Sequence, residues 1–512
     1  MQKNIHLPRL IQGGMGVGVS SWTLAREVAR SGQLGVVSGT ALDTLLVRRL
    51  ALGDPGGHMR RALEAFPVPR IAQRVLARYF KPNGSTRTPE AQPQPLATGQ
   101  SDLDSAGPSE HRADATTSPR SRFRLLPLPR ATLTPEREWL LVLANFAEVY
   151  LAKEGHPGMV GINYLHKIQF PLLPSLYGAM LAGVDAVLIG AGIPADIPAV
   201  LDRFSRGESA SITLDVLGAG PERHAQTFSP VALWTPVSRD PTPSPRRPRF
   251  LAIISSVTLA KALLKKSPGG VDGFVVEAPI AGGHNAPPRG PQQLSVRGEP
   301  VYGPRDDVNL AELATLGVPF WLAGGYASRE KFRSALAAGA HGVQLGTVFA
   351  FCDESGLEPD LRRRFLADVL RDEGRVHTDP SASPTSFPFK VATLAGTLSD
   401  DAIYAQRPRL CDLGYLRRAY RKDDGTLDYR CPGEPVAEYV RKGGRVDDTV
   451  GRKCLCNALI ANLGLGQQRS DGYEELPLLT AGDDLACIKP FISSERLRYH
   501  ARDVIESILE PA

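Results

Sequence analysis

Short runs of β-branched and apolar residues alternate along this chain with longer stretches of helical periodicity, an order that specifies a parallel sheet joined by crossover helices. The extended runs are RLIQGG from Arg9, LGVVSG from Leu34, MVGINY from Met159, DAVLIG from Asp185, SITLDVL from Ser211, FLAIISS from Phe250, GFVVEA from Gly273, PFWLAGG from Pro319 and GVQLGT from Gly342. SITLDVL leads into a proline-studded stretch, 220–249, with no helical periodicity, whereas the others lead into helices, so it is set aside as surplus. The eight remaining βα units predict a (β/α)8 TIM barrel over residues 1–375, followed by a C-terminal extension over 376–512 that packs on it. Two helices carry their own punctuation. SWTLAREVARSG opens on Ser21 as N-cap and closes at Gly32, and SREKFRSALAAG does the same between Ser328 and Gly339.

Between about Lys81 and Arg130 the pattern stops. Pro, Ser, Thr, Ala and Gln dominate, too little apolar surface to offset ordering entropy, and a disordered insertion inside the barrel is predicted there. Over the whole chain the 42% hydrophobic and 22% charged composition is that of a globular protein. A formal charge of +6 suits an anionic ligand. The Lys and Arg are scattered and lack interleaved aromatics, which argues against nucleic acid. No run approaches the roughly 18 apolar residues of a membrane span, and the first residues hold no apolar targeting core, so a cytoplasmic location away from membranes is expected.

Six cysteines in 512 residues are too sparse for a disulfide scaffold. Cys411, Cys431, Cys454 and Cys456 cluster near the C-terminus. Four thiols can hold zinc or an iron–sulfur cluster, but these lack paired C-x-x-C spacing, so unliganded thiols are expected and no metal is assigned.

Candidate chemistry sits where the strands end. The first strand runs into QGGMGVGVSS, Gln12 to Ser21. Gly14, Gly16 and Gly18 miss the dinucleotide spacing G-x-G-x-x-G, and the second strand ends in Ser38 and Gly39 instead of an acid, so the turn reads as backbone approaching a flat ring. The seventh and eighth units supply LAGGYAS (322–328) and QLGTVF (344–349), the two loops where barrel enzymes commonly hold phosphate. Gly324, Gly325 and Gly346 let backbone amides reach phosphate oxygens, and Thr347 adds a hydroxyl. His284, after two glycines in VVEAPIAGGHNAPPRG, falls on the catalytic rim, where an imidazole can take a proton or stabilise developing negative charge.

Taken in order, IQGGMG, GIN, EA…GGH, AGG and QLGT, with SPTSFPFKV after the barrel, resemble the nitronate monooxygenases, formerly 2-nitropropane dioxygenases, and their relatives the FMN-dependent enoyl-ACP reductases. The resemblance covers most of residues 9–395. It implies a flavin mononucleotide (FMN) over Gly14, Met15 and Gly16, with Asn163 in reach of the ring and Gly283 and Gln344 joining the cofactor set. It also implies phosphate contacts from Gly324, Gly325, Gly346 and Thr347, and a substrate nitro group facing His284. The chain departs from the family's EAGGHxG, because Pro279, Ile280 and Ala281 separate Glu277 and Ala278 from Gly282, and Ala286 replaces the last glycine. The implied activity is oxidation of an alkyl nitronate by oxygen. The alternative is an enoyl-thioester reductase using NAD(P)H, and a further one is a non-enzymatic metal-binding or interaction scaffold. The oligomeric state is left open.

Overall fold

The computed structural model describes residues 7–84, 121–235, 237 and 242–509. Eight parallel strands close into a barrel: β1 (Leu10–Gln12), β2 (Leu34–Ser38), β3 (Val160–Leu165), β4 (Ala186–Gly190), β5 (Arg249–Ile254), β6 (Gly273–Glu277), β7 (Phe320–Ala323) and β8 (Gly342–Leu345). Each pairs with its neighbours in sequence, and β8 closes on β1 with Leu10 opposite Val343 and Gln12 opposite Leu345. These are the eight runs expected to form the barrel. Alternation along them divides the core: Ile11, Val36, Leu188, Leu251, Val275 and Trp321 pack inside, while Leu10, Val37, Val187, Phe250 and Phe274 face the surrounding helices. Trp321 also plugs the lower end, donating Nε1–H to the Pro8 carbonyl at 3.0 Å.

The surplus run forms the strand Ala210–Leu214, outside the barrel and antiparallel to His224–Phe228. The proline-studded stretch is therefore less irregular than its composition suggests, since it holds that second strand and a short helix, Pro230–Trp234. Just beyond the first of these strands, Val216–Leu217 pairs with Arg418–Arg421 of the C-terminal region.

Three local expectations are corrected. Ser21 stands at the N-cap of the helix Trp22–Arg30 but makes no capping bond, and the Glu148 carboxylate takes that place by accepting from Trp22 N–H at 3.1 Å. The polar insertion is narrower than 81–130. Lys81 N–H is bonded to the Leu50 carbonyl, and on the other side Phe123 is buried, with its backbone N–H and C=O both bonded to the Gln467 side chain. Residues 85–120, the remainder of that segment, lie outside the described residues. Finally, the mixed aromatic and charged run GYLRRAYRKDDG reads as a solvated face packed over the barrel, but its start is not solvated, because Tyr415 and Arg417 are buried.

Beyond the barrel, β9 (Val376–Asp379) and β10 (Phe389–Ala392) form a hairpin, and the helix Ala501–Leu509 packs on the helices Trp22–Arg30 and Arg329–Ala337. No helix among the described residues is long and apolar enough to cross a membrane.

Candidate active site

The carboxyl ends of the barrel strands surround a cavity of about 460 Å³, within the usual range of small-molecule sites. Every residue singled out from the sequence lines it: Gly14, Met15, Gly16, Asn163, Gly283, His284, Gly324, Gly325, Gln344, Gly346 and Thr347. Parallel strands of one barrel end on one rim, so residues more than 300 positions apart converge.

Gly14 lies against Asn163 so closely that a Cβ there would stand 1.9 Å from Asn163 Oδ1. Gln344 packs in the same way beneath Gly13. Neither amide hydrogen-bonds to any described residue. The oxygens Asn163 Oδ1 and Gln344 Oε1 are buried without partners, and the nitrogens open to the cavity. An orphaned buried carbonyl costs about 1–3 kcal/mol. A half-turn of the amide exchanges oxygen for nitrogen, so each side chain can meet a ligand's C=O or its N–H.

At the first of the two late loops the backbone takes conformations that glycine alone adopts without strain, whereas Gly346 in the second has a φ of −115°. Gly324 and Gly325 have φ of +95° and +76°, and a Cβ on Gly325 would meet Ile280 Cδ1 at 2.4 Å. Ile280 belongs to the three-residue departure from the EAGGH pattern. Its carbonyl accepts from Asp483 N–H at 3.1 Å, so the extra residues roof the Gly324–Gly325 loop and tie it to the C-terminal region. Thr347 Oγ1 accepts from Gly482 N–H at 2.8 Å, which leaves the threonine's own proton free to donate. Gly325→Ala is expected to cost about 1–2 kcal/mol through its left-handed φ, read as a lowered urea midpoint.

His284 is held by β10 and the residue before it, with Lys390 N–H donating to the Gly283 carbonyl and Asn285 N–H to the Pro388 carbonyl, both at 2.9 Å. Its ring stands edge-on to Phe389, 4.8 Å between centroids, and Nε2 lies 2.7 Å from Ser383 Oγ. The ring is accessible only toward the cavity. Enclosure by protein, helped by the nearby Lys167 ammonium, lowers its pKa to about 4, so it is neutral at physiological pH.

Glu277, quoted above only as part of a motif, is a second titrating group on the cavity wall, and burial raises its pKa to about 7. Its carboxyl is therefore protonated in the folded protein over a range, about pH 4.5 to 7, in which the unfolded chain is ionised. Folded protein then binds the extra proton, so Glu277 lowers stability as pH rises through that window. Glu277→Gln should flatten this fall, measured as the thermal midpoint of variant and parent from acid to neutral pH.

Sequence reasoning missed the wall contributed by the C-terminal region. Phe387, Phe389, Tyr415, Leu416, Leu455, Cys456 and Leu459 all line the cavity. Tyr415 is anchored beneath it, donating its hydroxyl proton to Asp43, which also pairs with Arg137 at 2.5 Å. The SPTSFPFKV segment was the one available signal for Ser383 and the two phenylalanines. All six cysteines are free, Cys431 and Cys454 are buried, and among the described residues no three His, Cys, Asp or Glu side chains converge to hold a metal ion.

A closed (β/α)8 barrel whose rim carries two glycine-containing loops, unpaired amides and a neutral histidine defines a small-ligand site of the barrel-enzyme class. Residues 248–377 match the nitronate monooxygenase family, and through this segment the chain is related to that family. The match spans β5 to the start of β9, and so includes Glu277, His284 and both late glycine loops, but neither the Gly14 turn nor Asn163. A probable nitronate monooxygenase of Bacillus subtilis (strain 168) is 36% identical over 109 residues, 21% of this chain and 29% of that protein. A (3aS,4S,5R,7aS)-5-hydroxy-7a-methyl-1-oxo-octahydro-1H-indene-4-carboxyl-CoA dehydrogenase of Rhodococcus jostii (strain RHA1) is 28% identical over 122 residues, 24% of this chain and 30% of that protein. The chain thus spans about 30% of the length of these relatives. Among solved structures, FabK from Thermotoga maritima aligns over 99% of this chain and 93% of its own, with TM-score 0.45 and 13% identity.

Proposed function

We propose that this chain is an FMN-dependent oxidoreductase that oxidises alkyl nitronates with molecular oxygen. The observation carrying the cofactor is the pair of amides, Asn163 and Gln344, left without protein partners beside the glycine turn of β1, in the same cavity as the loops at Gly324 and Gly346. A flavin ring offers an edge of alternating C=O and N–H groups that two such amides can pair, and its phosphate suits the late loops. Bound there, FMN would supply the two-electron redox chemistry.

The rest follows from the chain's own residues. Gly14, Met15 and Gly16 give the ring a surface with little side-chain bulk. Gly324, Gly325, Gly346 and Thr347 receive the phosphate, and the walls at Tyr415, Leu416, Leu455 and Leu459 exclude water. His284 faces the substrate's oxygen atoms. The positive charge of Lys167 close to His284 favours an anion such as a nitronate over its neutral nitroalkane.

The purified protein is expected to be yellow, and to consume oxygen with a nitronate without NAD(P)H. A colourless protein that binds no added FMN overturns this reading. A second reading, reduction of an enoyl thioester by NAD(P)H, is favoured by the apolar C-terminal wall, which suits an acyl chain. Anaerobic mixing separates the two: bleaching of the flavin by nitronate supports the first, and bleaching by NADPH with recovery on adding an enoyl thioester supports the second.

A further inference from the structure

The hydroxyls behind His284 bear on where its ring proton sits. Ser383 is fully buried, and its Oγ has three neighbours: His284 Nε2 at 2.7 Å, Thr385 Oγ1 at 2.8 Å and the Thr385 backbone N–H at 3.2 Å. The backbone N–H can only donate, so one lone pair of Ser383 Oγ is used. Thr385 Oγ1 has Ser383 Oγ as its one hydrogen-bond partner among the described residues, and with Thr385 as donor of that pair its proton uses the second lone pair. The proton of Ser383 is left for Nε2. A nitrogen that accepts from a hydroxyl carries no proton of its own, which places the single proton of the neutral ring on Nδ1. Nδ1 has no partner among the described residues and is not sealed off, so the cavity is where it can be reached.

The support for this chain is itself fixed. Arg452 donates to the Ser383 carbonyl at 2.6 Å, and the backbone bonds of β10 hold the His284 peptide against the same segment. Lys167, whose ammonium donates to the Thr385 carbonyl at 3.4 Å, is the charged group acting on the ring, and it opposes imidazolium formation.

We infer that Ser383, backed by Thr385, is a positioning residue that holds His284 as the Nδ1–H tautomer, so that the histidine meets the substrate as a neutral hydrogen-bond donor and not as a base. This rests on the proposed function only in taking the cavity as the place where substrate binds. It narrows the substrate class to molecules that bring acceptor oxygens already bearing negative charge, such as a preformed nitronate, because a ring protonated at Nδ1 cannot take a proton from a neutral nitroalkane there.

The test reads the tautomer directly. In the purified protein labelled with 15N-histidine, the His284 signals are identified by their loss in His284→Asn. Near neutral pH, Nδ1 is expected in the protonated, pyrrole-type range and Nε2 in the unprotonated, pyridine-type range. The reverse assignment, or a doubly protonated ring, overturns the inference. In Ser383→Ala the ring should shift toward the Nε2–H form, and an unchanged tautomer overturns the role given to Ser383, since a merely packing serine would not move these signals. Failure to bind FMN would instead overturn the proposed cofactor while leaving the predicted shifts intact, so the two failures are distinguishable.

Discussion

His284→Ala is expected to lower turnover of an alkyl nitronate by about 10²–10³-fold, the usual loss when one preorganised donor to a developing negative charge is removed. Flavin content should be unchanged. The imidazole makes its hydrogen bond to Ser383 and none to the late glycine loops, and its removal leaves Asn163, Gln344, Gly324 and Thr347 in place. The backbone bonds that hold this segment, from Lys390 and Asn285, do not involve the ring, so the fold should survive. Oxygen uptake at saturating nitronate, together with the flavin absorbance of the same sample, checks both halves. A variant that kept full activity would remove His284 from the chemistry and favour the scaffold reading. One that lost its flavin would show that the ring supports the cofactor and not the substrate.

Asp43→Ala should produce the largest loss of stability, about 3–5 kcal/mol, the range measured when one member of a buried ion pair is removed. Asp43 and Arg137 are 0% and 5% exposed, and their 2.5 Å contact joins the helix after β2 to the helix Pro135–Lys153. Without the carboxylate, the guanidinium stays buried with no counter-charge, and two of its nitrogens already lack hydrogen-bond partners. Tyr415 loses the acceptor of its hydroxyl in the same step. Because Tyr415 forms part of the cavity wall, the site should loosen as well. Urea unfolding would show a large fall in midpoint, and added flavin should bind more weakly. Asp43→Asn, which keeps an acceptor for Tyr415 and loses the charge, should retain more of the wall than of the stability. A loss below about 1 kcal/mol would mean that Arg137 finds water or another partner and that the pair is not a structural anchor.

The barrel was legible because its code is local. Each strand alternates or runs apolar over a few residues, each helix restores the 3.6 period, and neighbouring units pair in sequence order, so no long-range information was needed to count eight strands or to discard SITLDVL. The glycines and His284 were legible for a related reason. They sit at strand ends, and the barrel places all strand ends on one rim.

What the chain order concealed is of another kind. Ser383 is 99 residues from the histidine it orients. Asp43 and Tyr415, 372 residues apart, are hydrogen-bonded beneath the cavity. Ile280 looked like a disruption of a motif until its contacts with Gly325 and Asp483 gave it a place. The expected bounds were too wide at 121–130, where buried Phe123 and Leu126 and the paired backbone of Phe123 hold the segment in place.

Sequence alone therefore determined the architecture and the rim on which the site lies, since both depend on periodicity and on residue types that backbone geometry requires. Only the tertiary structure decided the character of that site: which amides lack partners, which hydroxyl faces the histidine, and how strongly burial depresses His284 to about 4 and raises Glu277 to about 7. Those properties arise from low dielectric and from hydrogen-bond partners brought together by folding, and neither is written in the spacing of residues along the chain.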